Sequence, residues 1–464
     1  MALKLFNTLG RKNEEFISIE PNKVQMYTCG PTVYDYGHIG NFRTFVFQDI
    51  LRRYLKYKGY KVTQIMNLTD VDDKTIKGAQ LEGTSLKKYT ERYTKAFFED
   101  LNILNIERVE QYPKATEHIE GMVNLIMKLI EKGYAYQSGG AVYFDISKFR
   151  SYGKLSGKKT KDTNRKSRIK KDEYKDEAND FALWKPWSED DGDVFWITEL
   201  GKGRPGWHTE CSAIANIYLG TLFDIHSGGI DLIFPHHENE IAQSEAVNDK
   251  KFANYWLHAE HLILDGEKMS KSIKNTYRVR DIINKGFSGR TIRYLLSSAH
   301  YRTQLNFTDA GLKQAEASLG RIQDFIGRLK SFDEGKDNPE VTKMCQQVEK
   351  RFKAEMDNDL NIPGALSVIF DFLREINRLM DTKDVSKSNV NEIYSTMIRL
   401  DTVLGLLKTD DENISKKIKD LIDRREEARR SKDWKKSDQI RNELLENGII
   451  LEDTLEGVKW KKKI

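Results

Sequence analysis

The 464-residue sequence has few cysteines, no long apolar run and little net charge, and each absence excludes a class of protein. The three cysteines are odd in number and far apart, which argues against a disulfide framework and for a reducing compartment. No stretch approaches the roughly 18 apolar residues needed to cross a membrane, and residues 1–10 lack the long apolar core of a secretory signal. We therefore expect a cytoplasmic protein without a membrane segment.

The overall charge is nearly balanced, with 76 Lys and Arg residues against 71 Asp and Glu residues, so it does not imply a polyanionic partner. Basic residues are nevertheless concentrated in two stretches. Residues 154–175 hold ten basic residues against three acidic ones, and residues 415–464 hold fifteen against eleven. Basic stretches with interleaved aromatic residues are typical of nucleic-acid contact, but a solvated face or a flexible loop gives the same composition.

The first part of the chain has the pattern of an open parallel sheet. Residues 23–28 predict a strand, a glycine-containing turn follows, and residues 42–57 predict an amphipathic helix. A second strand is predicted at 62–66, and its polar end, Asn67 to Asp70, falls where such a sheet exposes its ligand-binding edge. We therefore expect an α/β protein with a doubly wound, Rossmann-like domain.

Changes in composition and periodicity divide the chain into six segments. The sheet domain is predicted to have two halves separated by an insertion, and apolar residues at helical spacing then indicate a helical bundle. The predicted segments are a first half at 1–115, an insertion at 116–205, a second half at 206–262, a connecting domain at 263–306, a bundle at 307–408 and a small α+β domain at 409–464.

Two short motifs suit phosphate binding. His38-Ile39-Gly40 stands where a turn leads into a helix, and a helix N-terminus offers N–H donors and a favourable dipole to phosphate. Lys268-Met269-Ser270-Lys271-Ser272 places two lysines among small hydroxyl residues, which suits a cationic clamp for polyphosphate. Alone, each motif could be an ordinary surface turn or loop; both in this order predict an ATP site.

Four residues suit a zinc site beside this ATP site. Cys29, Cys211, His236 and Glu240 supply the thiolate, imidazole and carboxylate ligands that zinc prefers. A helix begun by Pro235 would place positions 236 and 240 on one face, whereas the rival ligands at 237 and 238 would turn away by about 100° per residue. Cys345 has no metal partners near it in the helical region and is interpreted as structural.

The two phosphate motifs resemble the signature motifs of class I aminoacyl-tRNA synthetases, and four longer stretches resemble the cysteinyl-tRNA synthetase family over the whole chain. These stretches are Cys29-Gly30-Pro31-Thr32-Val33-Tyr34-Asp35, Asn67-Leu68-Thr69-Asp70-Val71-Asp72-Asp73-Lys74, Gly203-Arg204-Pro205-Gly206-Trp207-His208-Thr209-Glu210-Cys211-Ser212 and Pro235-His236-His237-Glu238-Asn239-Glu240. One departure is Asn41, where the family motif has a second histidine. An asparagine amide still donates hydrogen bonds, so we expect activity to survive.

The resemblance implies a catalytic role for the α/β domain and one zinc ion per chain, bound by Cys29, Cys211, His236 and Glu240. Zinc would select the thiol of L-cysteine over the hydroxyl of serine. The catalytic residues implied are His38, Lys268 and Lys271; the residues implied for Mg²⁺-bound ATP are His38, Gly40, Asn41, Gly229, Asp231 and Lys271; those implied for the amino acid are Gly30, Thr69 and Trp207.

The resemblance also implies that residues 409–464 read the anticodon of tRNA(Cys). The residues suited to base stacking and edge recognition there are Arg429, Trp434, Asp438, Arg441, Asp453 and Trp460. We expect a monomer. Two alternatives stay open: a ligase that couples cysteine to a small amino sugar, and a non-enzymatic RNA-binding relative. Residues 154–175 could be a loop or could contact the tRNA acceptor stem.

Overall fold

A computed structural model describes residues 2–158, 175, 180–268, 276–333, 335–407, 416–431, 433–447, 449–454 and 457–462. It begins with a short antiparallel hairpin of two strands, β1 (Lys4–Asn7) and β2 (Lys12–Glu15).

The next elements follow the predicted order of strand, turn, helix and strand. They are β3 (Lys23–Thr28), α1 (Ile39–Tyr57), β4 (Lys61–Met66), α2 (Asp73–Leu81) and α3 (Leu86–Ile103). Helix α1 begins three residues before the predicted start because His38 caps it in a capping box with Asn41. Its apolar face, which includes Phe42, Val46 and Ile50, is buried at helical spacing.

The predicted insertion forms a helix and an antiparallel sheet, and its hydrophobic core also includes Val71 and Ile76 before it and Ala213, Ala242 and Ala246 after it. Its elements are α4 (Ile119–Glu131), β5 (Ala135–Ser138), β6 (Ala141–Phe144), β7 (Phe181–Pro186), β8 (Trp196–Thr198) and β9 (Gly201–Pro205). The strand order is β5-β6-β7-β9-β8. Val142, Leu183 and Trp184 lie fully buried in this core.

The chain then returns to the first sheet. The elements are α5 (Trp207–Leu219), β10 (Phe223–Gly229), α6 (Glu238–Asn248) and β11 (Ala253–Ala259). Strand β10 lies between β11 and β3, in the parallel order β11-β10-β3-β4. The expected Rossmann-like α/β class is confirmed, and the two distant parts of the chain meet at the centre of one sheet.

A connecting segment and a helical bundle follow. The elements are β12 (Leu262–Leu264), β13 (Glu267–Lys268), α7 (Val279–Asn284), α8 (Gly289–Ser297), β14 (Leu305–Phe307), α9 (Asp309–Ser331), α10 (Glu340–Asp357), α11 (Ile362–Asp381) and α12 (Lys387–Leu404). The bundle shares one hydrophobic core with α1. The hydroxyl of Tyr54 on α1 donates to Asp357 of the bundle at 2.7 Å, and Arg293 of the connecting segment pairs with Asp49 on α1 at 2.5 Å. Polar contacts therefore join both parts to the sheet domain.

The last described part is small and has a core of its own. It contains α13 (Lys416–Arg430), α14 (Trp434–Glu446), β15 (Ile449–Thr454) and β16 (Gly457–Lys462), and the two strands pair antiparallel. Leu421, Leu444 and Leu451 lie in its core. Among the described residues, we find no helix with the length and apolar character of a membrane span.

Candidate functional site

The four predicted metal ligands meet at the carboxyl edge of the central sheet. Cys29 follows β3, Cys211 lies on α5, His236 lies in the turn before α6, and Glu240 lies in the first turn of α6. The Sγ atoms of the two cysteines, 182 positions apart in the chain, are 3.9 Å apart. His236 Nε2 is 3.5 Å from Cys211 Sγ and 3.0 Å from Glu240 Oε1, and Cys29 Sγ is 3.7 Å from the same oxygen.

This donor set fits a zinc ion. The four ligand atoms lie within 4.8 Å of one another, and all four residues are buried. Four ligands about 2.0–2.3 Å from a tetrahedral ion would stand roughly 3.3–3.8 Å apart, close to the distances observed here.

The local structure around His236 differs from the predicted helix. Residues Ile233–His237 form an irregular turn in which Phe234 has extended φ and ψ of −140° and 128°, and the regular helix begins only at Glu238. The prediction that Pro235 begins this helix is therefore wrong, because Pro235 lies in the turn before α6. The contact between positions 236 and 240 still forms, because the residues from 237 onward have helical φ and ψ.

The prediction that His237 turns away from the cluster is wrong. Its Nε2 atom lies 3.3 Å from Cys29 Sγ and 3.9 Å from Glu240 Oε1, because residues 237 and 240 are three apart in helical backbone and share a face. Glu238 accepts the backbone N–H of Ser156 instead. A second set of possible ligands, Cys29, His226, His237 and Glu240, satisfies the same distance limit and shares two members with the first.

Sequence reasoning missed His226, which lies fully buried on β10 and whose Nε2 is 2.7 Å from Glu240 Oε2. The only sequence feature that could have indicated His226 was the position of a histidine within a mostly apolar predicted strand. Further ring contacts extend the cluster: His208 Nδ1 is 2.8 Å from His236 Nδ1, and His237 Nδ1 is 2.8 Å from His258 Nε2. These contacts fix the ring orientations of His236 and His237.

Burial and neighbouring charges set the protonation of the cluster. Burial opposes ionisation of Glu240, but His226 and His236 outweigh it and hold the pKa of that carboxyl well below its usual range. Burial would lower the pKa of His236, yet Glu240 and Cys211 raise it to about 10. Burial would raise the pKa of Cys211, but hydrogen bonding with Cys29 and the charge of His236 lower that pKa to about 6. The cluster thus holds a thiolate and a carboxylate at neutral pH, as charged metal ligands require.

The three predicted amino-acid-binding residues lie beside this cluster. The backbone N–H of Gly30 donates to Asn67 Oδ1 at 2.9 Å, and a Cβ at Gly30 would stand 1.8 Å from the backbone oxygen of Asn67. This close approach requires glycine. Trp207 is 42% exposed, and its indole stacks on the ring of His236 with centroids 4.4 Å apart.

Thr69 is hydrogen-bonded to a buried acidic residue for which the sequence predicted no role. The Thr69 hydroxyl donates to Glu210, which is 2% exposed and precedes Cys211 on α5. Burial raises the pKa of the Glu210 carboxyl well above its ordinary value.

The predicted nucleotide-binding residues lie at the start of α1 and the end of β10. The backbone N–H of Asn41 donates to His38 Nδ1 at 3.3 Å, and the backbone N–H of Ile39 donates to the carbonyl of Tyr277 at 2.8 Å. Gly40 is in the first turn of the helix. The connecting segment therefore lies against the predicted phosphate site.

Gly229 ends β10, and Asp231 follows in a short 3₁₀ turn. A Cβ at Gly229 would stand 2.6 Å from Asp231 Oδ1, so the two residues are in close contact. The backbone of Lys268 ends β13, and Lys271 lies outside the described residues.

The predicted tRNA-binding residues all lie in the small C-terminal part. Arg429 is on α13, and Asp438 and Arg441 are exposed on α14, whose first residue, Trp434, is 58% exposed. On the paired strands, Asp453 stands opposite Val458 and Trp460 stands opposite Leu451.

Two other predictions concern residues away from the site. Cys345 is buried on α10, where burial raises the pKa of its thiol to about 11, in agreement with a structural role. Within the basic stretch 154–175, residues 159–174 lie outside the described residues, and Lys154 forms an ion pair with Glu245.

Three family models match successive parts of the chain. The model of the class I (C) tRNA synthetase catalytic domain matches residues 15–317, the DALR domain model matches residues 351–408, and the cysteinyl-tRNA ligase anticodon binding domain model matches residues 411–460.

Curated relatives match over the full length. A cysteine–tRNA ligase of Protochlamydia amoebophila is 47% identical over 470 residues, covering 100% of this chain and 98% of its own. A cysteine–tRNA ligase of Chlamydia muridarum is 48% identical over 476 residues and covers 100% of both chains, and that of Brachyspira hyodysenteriae is 47% identical over 472 residues, covering 99% of both.

Solved structures of more distant proteins share the fold. Methionyl-tRNA synthetase of Mycobacterium tuberculosis bound by methionyl-adenylate aligns with a TM-score of 0.61 and 13% identity, over 83% of this chain and 90% of that chain. LeuRS of Agrobacterium radiobacter K84, in a ternary complex, aligns with a TM-score of 0.60 and 10% identity, over 84% of this chain and 85% of that chain. At these identities the likeness concerns the fold alone.

Proposed function

The chain belongs to the cysteine–tRNA ligase family, and from that premise we propose that it ligates L-cysteine to tRNA(Cys) in two ATP-dependent steps. The cysteine carboxylate attacks the α-phosphate of Mg²⁺-bound ATP, which forms cysteinyl-adenylate and releases pyrophosphate. A terminal ribose hydroxyl of the tRNA then attacks the adenylate carbonyl, which forms cysteinyl-tRNA and releases AMP. Neither step needs a covalent bond to the enzyme, so the protein acts through positioning and charge stabilisation.

The observation that carries this proposal is the buried cluster of Cys29, Cys211, His236 and Glu240 at the carboxyl edge of the sheet. Strands β3 and β10, which meet there, also lead to His38 and Gly229 on the nucleotide side. A thiol-selective cluster beside a phosphate-binding helix start is what activation of cysteine requires.

We assign Zn²⁺ to the first donor set, because its two sulfur ligands suit zinc better than a set with one. Zinc bound there would accept the substrate thiol as a further ligand and would prefer sulfur to the oxygen of serine. His226 orients Glu240 through the contact at 2.7 Å, and His208 orients His236 through the contact at 2.8 Å. Trp207 walls the pocket by stacking on His236.

On the nucleotide side, His38 is held as a hydrogen-bond donor. The backbone N–H of Asn41 donates to His38 Nδ1, so the neutral ring carries its proton on Nε2 and can donate it to a phosphate oxygen. The N-terminus of α1 adds its dipole, and Gly40 permits close approach of the phosphates. Lys268 and Lys271 neutralise the charge that develops on the departing pyrophosphate, and Asp231 binds the adenosine ribose.

The remaining assignments concern the other parts of the chain. We propose the six segments given by the sequence as the domains, with residues 409–464 as the anticodon reader. The exposed indole of Trp434 supports this role, since aromatic side chains stack on unpaired bases. We further propose a monomer that acts in the cytoplasm, where three free cysteines remain reduced.

Cysteine-dependent ATP–pyrophosphate exchange, with serine as the control, tests the proposal, followed by addition of tRNA(Cys) to the same zinc-loaded protein. We expect exchange with cysteine and not with serine, and then charging of the tRNA. Exchange without charging would instead favour a ligase that acts on a small amino sugar. Absence of exchange would favour a non-enzymatic RNA-binding protein.

A further inference from the structure

Residues 152–158, which we call the strap, lie against the turn and the helix that carry two of the candidate metal ligands. Glu238, at the start of α6, accepts the backbone N–H of Ser156 at 2.8 Å and that of Leu155 at 3.4 Å. The Glu238 side chain is fully buried, and in the part of the chain that the structure describes both of its hydrogen-bond donors belong to the strap. Displacement of the strap would leave a buried carboxyl group without partners, which is costly.

The strap follows the side of α6 that is turned away from the metal cluster. Glu238 and Glu245 are seven positions apart and share one face of the helix, whereas Glu240 points about 200° away from Glu238. Lys154 of the strap pairs with Glu245 on this outer face. The helix therefore presents its metal ligand on one side and is held by the strap on the other.

The strap also contacts the residues on both sides of His236. The Lys158 ammonium group lies 4.1 Å from the ring centroid of Phe234, the residue whose extended backbone interrupts the helix. After the turn, Asn239 Oδ1 accepts the hydroxyl of Tyr152 at 2.5 Å. Because these contacts lie before and after His236 in the chain, a shift of the strap would also shift the backbone that carries this ligand.

The strap is itself anchored to the rest of the domain. Leu155 is 1% exposed and lies in the hydrophobic core that contains both cluster cysteines. Gly153 has a φ of +93°, and a Cβ there would stand 1.9 Å from the carbonyl oxygen of Lys158, so the turn requires glycine. Arg11, between β1 and β2, donates to the carbonyl of Ser156 at 2.9 Å. These anchors allow the strap to act as a fixed support.

We propose that the strap holds the metal-binding turn in place and that Glu238 is the positioning residue through which it acts. Groups behind metal ligands set the orientation of those ligands and the affinity for the metal. In this site the strap supports the backbone that carries His236, and so determines where the imidazole meets the ion. The start of the basic stretch 154–175 thereby has a role. The inference rests on the proposed function, because it takes the zinc assignment as its premise.

The test measures release of zinc from the zinc-loaded full-length chain into a chromogenic chelator. Glu238→Gln keeps the shape of the side chain but replaces one acceptor oxygen by an NH₂ group, which cannot accept a strap N–H. Changes behind metal ligands typically weaken metal binding by about 10- to 100-fold, so zinc release should be faster by that order. Since the substrate thiol binds the metal, the KM for cysteine in pyrophosphate exchange should rise, while the KM for ATP stays unchanged.

Asp224→Asn is the matched control. Asp224 is also buried and also accepts two backbone N–H groups, from Ile19 at 2.7 Å and from Gln25 at 2.8 Å, but it lies near the amino end of β10. A general loss of stability would appear in both variants, whereas only Glu238→Gln should release zinc faster. Equal acceleration in both would overturn the inference, and so would an unchanged release rate in Glu238→Gln.

Tyr152→Phe tests the strap at a second point and decides the question if Glu238→Gln does not fold. The substitution removes only the hydroxyl that donates to Asn239. Loss of one hydrogen bond should speed zinc release by about 2- to 10-fold. Release at the wild-type rate would then reject the supporting role of the strap.

The wild type separates this inference from the zinc assignment. Wild-type protein that does not retain zinc would reject both the assignment and the inference. Wild-type protein that retains zinc and activates cysteine, together with a Glu238→Gln variant that releases zinc no faster, would reject the role of the strap alone.

Discussion

His38 and Asn41 hold each other at the start of α1: the backbone N–H of Asn41 donates to His38 Nδ1 at 3.3 Å, and Asn41 Oδ1 accepts the backbone N–H of His38 at 3.2 Å. This reciprocal pair satisfies two donors at the helix start. Asparagine therefore has a structural use at the position where the family motif has a second histidine. It fixes the orientation of the His38 imidazole, which we propose contacts the phosphates of ATP.

The capping pair leads to a prediction for Asn41→Ala, which removes the side-chain acceptor. Loss of a cap costs about 1 kcal/mol, so we expect pyrophosphate exchange to fall about fivefold as His38 becomes less well oriented. Asn41→Gln keeps an amide oxygen and serves as the control, and it should retain more exchange activity. Identical exchange rates for both variants would show that the acceptor is not needed.

The two overlapping donor sets can be separated by metal analysis of single variants. Cys211→Ser should lose zinc and with it the discrimination against serine, because Cys211 belongs only to the first set. His237→Asn, in the second set only, should keep zinc at one per chain. Metal content by mass spectrometry decides: retention in Cys211→Ser with loss in His237→Asn would assign the ion to the second set.

Lys271 is assigned from the sequence motif. We expect Lys271→Ala to lower adenylate formation by about 10²–10³, the usual effect of removing one donor to developing charge. Zinc content should stay unchanged, since the residue is not among the candidate ligands. Lys250→Ala, at an exposed position after α6, is the control. Near-normal pyrophosphate exchange in Lys271→Ala would remove this residue from the catalytic set.

Trp434 offers an exposed aromatic surface in the C-terminal part. If it stacks on an anticodon base, Trp434→Ala should lose about 1–3 kcal/mol of tRNA binding, seen as a raised KM for tRNA(Cys) in charging assays. Pyrophosphate exchange without tRNA should be unaffected. Trp434→Phe keeps an aromatic face and should restore much of the affinity, whereas equal KM values for wild type and Trp434→Ala would exclude stacking.

Asp100 on α3 gives the protein a defined pH dependence of stability. Burial raises its pKa to about 6 despite its contact with Arg280 at 3.2 Å. The unfolded chain has the ordinary lower value, so the folded state binds the extra proton between about pH 4 and pH 6. Stability contributed by this proton is present at about pH 4 and is lost as the pH rises through 6, at a cost of about 2–3 kcal/mol.

Asp100→Asn should abolish that loss, because the amide does not ionise and its oxygen can still accept from Arg280. The unfolding midpoint of the variant, measured relative to that of the wild type, should therefore be higher at pH 7 than at pH 4.5. If the midpoints of variant and wild type differ by the same amount at both pH values, Asp100 does not titrate in this range.

Much of this architecture follows from local sequence patterns. The strands at 23–28 and 62–66 were predicted within one residue, because the alternation of apolar and polar residues is local. The pairing of Cys29 with Cys211 was predicted from zinc-ligand chemistry and from the family resemblance, since no local pattern links positions so far apart. His237 was misjudged because a helix places residues three apart, as well as four apart, on one face, so positions 237 and 240 also meet. Glu210 was passed over because a single acidic residue in a helix gives no sign of burial.

The position of β10 between β11 and β3 has a consequence for synthesis of the protein on the ribosome. One edge of β3 lacks its neighbour until the chain has been extended past the insertion to residue 223. Counted from the end of β4 at Met66 to Phe223, this interval of about 160 residues takes on the order of ten seconds at about 5–20 residues per second. During that time the nascent chain presents an open parallel-strand edge beside an apolar surface, which is a target for chaperones or for misassembly.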